Sequence, residues 1–263
     1  MESRNPVFAR SEEFRRGGYA TFSTPSAGQL EDMYAAPSAT SLQTGRMTLD
    51  DVVVRSAMVF VVLLLAAAAT FEVLPLRLYG LVLVAAVVGL VLGLVNSFKR
   101  NPSPALILAY AAFEGVFVGG ISRIYELRSD GIVAQAVLGT LTAFGTMLAL
   151  YKFRVIRATP KFTRVLIIAG VSYFVFSLVH LIGVWTHLWN SVYAGGGLLP
   201  IGLSALGVVL ASLYLVLDFD YIEQGIRNGL PQRFAWQAAF GLVVTLVWLY
   251  LEILRLIAIL NRR

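Results

Sequence analysis

The chain has 263 residues, of which 58% are hydrophobic and only 14% charged. A soluble domain of this size carries about 25% charged residues, so the composition excludes an ordinary water-soluble globule and points to a polytopic membrane protein. The net charge of +6 does not indicate nucleic-acid binding, because the basic residues gather in short segments between apolar runs, and the absence of cysteine excludes disulfides, thiolate metal sites and cysteine nucleophiles.

Residues 1–50 are polar, mixed in charge and rich in Gly, Ser, Thr and Pro. They show no helical period and are expected to form a disordered cytosolic tail, leaving 51–263 as the transmembrane domain. Asn5-Pro6-Val7-Phe8 and Phe14 stand out in the tail. They either dock aromatic rings on the membrane surface or the bundle, or stay solvated. No cleavable signal peptide is expected, since the first apolar run comes after fifty residues and is long enough to span.

Seven spans are predicted, each near the roughly 20 apolar residues that cross a bilayer. The first, 52–71, opens on Thr48 as N-cap, with Asp50 and Asp51 suited to the positive end of the helix dipole and Arg55 placed to snorkel. The second is 78–98. The third, 105–124, follows the breaker Asn101-Pro102-Ser103-Pro104. The fourth and fifth are 132–151 and 165–185. The sixth, 198–217, follows Gly195-Gly196-Gly197, and the seventh is 238–260. The fold class is therefore all-α, a seven-helix transmembrane bundle.

Loop charges give an orientation. Lys152, Arg154, Arg157, Lys161 and Arg164 follow span four, Lys99 and Arg100 follow span two, and Arg227 and Arg233 follow span six. The alternate loops hold only Arg77, Arg123 and Arg128. Positive-inside puts the first set and the N-terminus in the cytosol. Seven spans then leave the C-terminus outside, and Arg262 and Arg263 oppose this, so a re-entrant last span is the alternative. Trp185, Trp189, Trp236, Tyr125, Tyr151 and Tyr193 fall at span ends, where amphipathic rings meet head groups.

Acids within spans are the candidates for function, since each is costly in hydrocarbon. Glu114 sits mid-span beside a stripe of Ala111, Gly115 and Gly119 that lets a neighbouring helix pack closely. It either serves an ion pathway or is a protonated group bonded across helices. Glu252 and Arg255 are three apart, hence on one helix face. They form a self-contained pair, or Glu252 faces the bundle interior. Span six ends in LYLVLDFDYIEQ, with Asp218, Asp220 and Glu223. Asp218 and Asp220 point to different sides, while Asp220 and Glu223 share one. Crowded carboxylates here titrate as a coupled unit and suit hard cations such as Ca²⁺. A solvated acidic loop is the alternative.

Catalytic sets are absent. His180 is alone in its span, His187 lies beyond its end, and Gly202-Leu203-Ser204-Ala205 is one residue short of the GxSG motif of rhomboid-type proteases. There is no HExxH and no P-loop. No enzyme and no cofactor are expected.

AFEGVFVGGISRIYE in span three, LDFDYIEQGI at the end of span six and LYLEILRLIAIL in span seven together resemble the Bax inhibitor-1 / YccA-like family of transmembrane Bax inhibitor motif proteins. NPVFAR resembles the tail of a bacterial branch. The resemblance implies seven helices with the last surrounded by the others, residence in the plasma (inner) membrane, and a proton-sensitive calcium leak controlled by acids on helices six and seven. Asp218 fits the first acid, with Ile222 four residues later, and Asp220 is the alternative. Glu252 matches the second acid in one register; in another the position falls on Thr245. Glu114 matches the Glu of the family's EG helix. Expected partners are the lipid bilayer, calcium ion and other membrane proteins. The rival to a calcium leak is a non-conducting regulator that binds membrane proteins such as a protease.

Overall fold

The computed structural model describes residues 26–35, 45–75, 80–194 and 197–261. The expectations for Asn5–Phe8, Phe14, Arg77, Arg262 and Arg263 lie outside the described residues. The chain divides into two units, Met1–Gln43 and Thr44–Arg263. In the first, Ala27–Ala35 is a nine-residue helix within the stretch read as having no helical period. Its start has a local cause. Ser26 N donates to Gln29 Oε1 at 2.9 Å and Gln29 N donates to Ser26 Oγ at 3.3 Å, the reciprocal pattern of a capping box.

The second unit holds seven helices long and apolar enough to cross a membrane: α1 Leu49–Val73, α2 Gly80–Phe98, α3 Pro104–Glu126, α4 Ile132–Lys152, α5 Pro160–Trp185, α6 Leu198–Arg227 and α7 Phe234–Leu260. The protein is a multi-pass integral membrane protein. Among the described residues the only β-pairing is an isolated bridge between Arg46 and Pro231. Local chemistry explains the ends. Thr48 caps α1 through Asp51 N at 3.2 Å, and the Asp51 carboxylate accepts from Thr48 N at 3.1 Å. Thr159 caps α5 and Pro160 takes its first position, so this helix starts before its apolar run. Glu126 accepts from Gly131 N at 2.6 Å and Val133 N at 3.0 Å, tying the end of α3 to the start of α4.

The largest departure from expectation is α6. It runs to Arg227, ten residues past the predicted end at 217, and includes the whole acidic stretch. Helix continues because that stretch is amphipathic: Phe219, Ile222 and Gly225 are buried, while Tyr221, Glu223 and Gln224 are exposed. It stops at Asn228-Gly229, where Gly229 has φ +64°, a left-handed turn suited to glycine. The solvated acidic loop does not exist, because Asp218, Asp220 and Glu223 are all helical.

Helix α7 is the core. In its most apolar stretch 61% of residues are buried, against 44% or less in each of the other six. It packs against α1, α3, α4 and α6. The last helix is thus enclosed, and α5 joins the bundle mainly along α6 through Leu166, Tyr173 and Leu210. Helix α7 is continuous over 27 residues, long and apolar enough to cross a membrane. On α3 the predicted small-residue stripe meets α1. A Cβ on Gly115 would stand 2.3 Å from the Leu63 carbonyl oxygen, and one on Gly119 would stand 2.2 Å from that of Ala67. The two backbones touch, as the stripe required.

Residues 45–48 lie on the α6–α7 turn. Met47 N donates to Leu230 O at 2.7 Å, and Gln232 N donates to Gly45 O at 2.8 Å. Met47 is buried with Val52, Ile222, Ala235 and Ala238. Arg55 does not snorkel. Its guanidinium donates to Gln232 O, lies 3.7 Å from Asp51 and sits over the Trp236 ring. A charged side chain one turn into a span found partners within the protein, which removed the reason to reach for water.

Replacing Gly119 with Ala forces the α1 and α3 backbones apart and is expected to lower stability by about 1–3 kcal/mol. Gly145→Ala, in open space, leaves it within about 0.5 kcal/mol. Unfolding of the two purified variants in detergent, followed by circular dichroism, checks the contrast. Equal stabilities would deny the backbone contact.

Candidate functional site: a buried carboxylate at a cleft

Asp218 is the inward member of the acidic stretch. On α6 it stands between the buried Val216 and Phe219, and it faces α7 at Gly241, where a Cβ would lie 3.7 Å from Asp218 Oδ1. Thr245, one turn further along α7, lies beside the carboxylate. Oδ2 is buried and has no hydrogen-bond partner among the described residues. A cleft of about 250 Å³ reaches this point, lined by Ser97 of α2, Asp218 and Tyr221 of α6, and Gln237, Ala238, Phe240 and Gly241 of α7. A buried carboxylate oxygen left unbonded beside such a cleft is open to a proton, a water or a cation.

The other two acids of the stretch turn away. Asp220 accepts from Gln224 Nε2 one turn later on the same helix. Glu223 accepts from the Tyr151 hydroxyl of α4. Among the described residues no group of three or more His, Cys, Asp or Glu converges as a metal cage. Asp218 therefore faces the cleft as a single carboxylate.

Glu252 belongs to a different site. It is only 3% exposed. Oε1 accepts from Tyr173 Oη at 3.0 Å and Trp248 Nε1 at 3.2 Å, and Oε2 accepts from Arg255 Nη1 at 2.9 Å. Gly207 of α6 makes room for it, since a Cβ there would stand 2.6 Å from Glu252 Oε2. Both readings of this residue hold in part: it faces the interior, and it pairs with Arg255. The expected approach of Asp218 and Glu252 does not occur. Glu252 lies level with Gly207, eleven residues before Asp218 on α6, or about 16 Å along the axis. The position opposite Asp218 is Thr245, the other register considered from sequence. Helix geometry decided this: Thr245 is a few turns into α7, near the depth of Asp218, and Glu252 is two turns further.

Glu114 faces α2. Its Oε2 would be 2.9 Å from a Cβ on Gly89, so it packs over that glycine rather than pointing into lipid. Among the described residues no hydrogen bond holds its carboxylate, and it lies apart from both sites above. His180 stacks on Phe176 and lies 3.4 Å from Ser191 Oγ, a packed histidine. Ser204 is fully buried, with no base beside it.

Sequence reading missed Tyr173 and Trp248 as partners of Glu252 and Ser97, Tyr221 and Gln237 as cleft residues. One signal was available, the four-residue spacing of Trp248 and Glu252 on one helix face. The rest come from other helices and have no signature along the chain.

Arg255→Met strands the Glu252 carboxylate and is expected to cost about 3–5 kcal/mol. Adding Glu252→Gln recovers much of that loss, because no buried charge is then left unpaired. Thermal unfolding in detergent of the single and double variants reads both effects. A double variant as unstable as the single would mean that the loss is not one of pairing.

A family model described as Bax inhibitor 1 like matches residues 5–262, nearly the whole chain. No curated protein matches.

Proposed function

Because the chain belongs to the Bax inhibitor 1 like family, we propose that it is a proton-sensitive calcium leak of the plasma (inner) membrane, with Asp218 as its sensor. The observation that carries this reading is the unpartnered, buried Oδ2 of Asp218 beside an open cleft. A proton and a calcium ion compete for that oxygen. Calcium takes six to eight oxygen ligands. One carboxylate with the Ser97, Tyr221 and Gln237 side chains nearby supplies few of these, so water supplies the rest. Such weak holding suits passage, which requires an ion to leave as readily as it enters. The sensor in this reading is one acid beside a hydroxyl, Thr245, rather than two acids. Glu252 is a structural residue in it. The chain catalyses no reaction and holds no resident cofactor.

The orientation proposed with this function puts the N-terminus and the basic loops in the cytosol. Single cysteines at Lys161 and Ser191 are expected to label from opposite sides of intact cells, and labelling from one side would overturn the topology. For function, the purified chain in calcium-dye-loaded liposomes is expected to leak calcium in a pH-dependent way. Asp218→Asn removes the charge change and flattens the profile. Glu252→Gln keeps the profile shape of the unaltered protein. An unchanged profile in Asp218→Asn would exclude the sensor role. Absence of flux at every pH in the unaltered protein would favour a non-conducting regulator that binds other membrane proteins, such as a protease.

A further inference from the structure

We propose that the segment 152–164, which joins α4 to α5, is a docking surface for the phosphate head groups of anionic lipid in the leaflet beside it. Lys152, Arg154, Arg157, Lys161 and Arg164 are all exposed, and the segment contains no acid. Among the described residues none of the five forms a salt bridge. Lys161 and Arg164 stand in the opening turns of α5, a 26-residue helix with no acid in its first turn. That end of a helix already carries partial positive charge, so cations there repel it. The nearest carboxylates, Glu223, bonded to Tyr151, and Asp220, form no ion pair with any of the five, and an external anion would relieve the repulsion.

Two further features select a lipid over a soluble anion. Phe153 is 76% and Val155 69% exposed, on either side of Arg154. Large apolar side chains interleaved with cations match a surface that sinks its apolar residues to the acyl boundary while its cations meet phosphates. A dissolved anion would use the cations and leave both apolar side chains in water. The segment is also a fixed structure. Arg154 turns the chain with φ +59°, Val155 N donates to Leu150 O at 2.9 Å, and Ile156, Ala158 and Phe162 pack against the core. The cations therefore sit on a built surface rather than a floating loop. The other basic segments on the same side, around Lys99-Arg100 and Arg227–Arg233, hold fewer charges, and Arg233 is turned over the Phe234 ring.

The chain has no cysteine, so Val155→Cys gives a single fluorophore site in the full-length protein. The protein is reconstituted in phosphatidylcholine with brominated phosphatidylglycerol or, separately, brominated phosphatidylcholine, and quenching reads which lipid is beside the label. The expected preference for phosphatidylglycerol is about threefold or more. It falls to about one in high salt and in Arg154→Gln/Arg157→Gln/Lys161→Gln. A label at Ser191→Cys shows no such change with the triple substitution. Losing basic residues also affects orientation, so a membrane-impermeant thiol reagent checks that the introduced cysteine stays on its side. If the triple variant does not insert, the salt titration of the Val155→Cys protein without the triple substitution decides. A preference of one in that protein, or a preference untouched by salt, overturns the proposal. So does its loss to inorganic phosphate well beyond chloride at equal ionic strength, which would make the ligand a soluble anion.

Discussion

A helix enclosed by other helices inside a membrane has no water for its polar groups, and each must be met by a neighbour. Helix α7 carries three such groups on its enclosed length. Thr245 faces the Asp218 carboxylate of α6. The Tyr250 hydroxyl is 2.7 Å from Ser122 Oγ of α3. Glu252 accepts from Tyr173 of α5. These contacts lead to three different helices at three depths, so together they set the rotation and the height of α7. Apolar packing alone could not do this, because lipid tails are as apolar as Leu and Val and exert no preference between helix faces.

The same constraint gives the membrane acids opposite characters. Glu252 receives three hydrogen bonds and is held as a rigid part of the core. Asp218 has the Thr245 hydroxyl near it and a buried oxygen with no hydrogen-bond partner among the described residues. A saturated network specifies structure, and a partly saturated one leaves capacity for a ligand. Three acids within the spans also meet a glycine on a neighbouring helix: Glu114 meets Gly89, Glu252 meets Gly207, and Asp218 meets Gly241. The missing side chain is what admits a carboxylate between close-packed helices, and it links the choice of small residue on one helix to the chemistry of another.

The seven spans were legible in the chain because about 20 apolar residues between polar breaks have few other uses. Close packing on the α3 stripe was legible too, since Ala111, Gly115 and Gly119 repeat at the spacing of one face, but that α1 is the helix packed there was not. The end of α6 was not. Its apolar run stops at Leu217, and acids after an apolar run look like a loop until Phe219, Ile222 and Gly225 are seen as an inner stripe. The partner of Asp218 was not legible either. Motif likeness favoured Glu252 and helix length favoured Thr245, and only the packing of α6 on α7 distinguishes them. Arg55 was misread for a related reason: its partners, Gln232 and Trp236, lie far along the chain.

The central position of α7 also bears on how the protein is made. A ribosome delivers the chain from its N-terminal end, so the six helices that surround or flank α7 enter the membrane before it exists. Until then Ser122, Tyr173 and Asp218 lack their partners, and the α1 and α3 faces that α7 will cover have nothing packed on them. The helices inserted by then have contacts of their own, among them the glycine contact of α3 with α1 and the packing of α2 on α3 and of α4 on α6. Because α7 is both the last helix made and the most buried, the core is complete only once it has taken its place among the others.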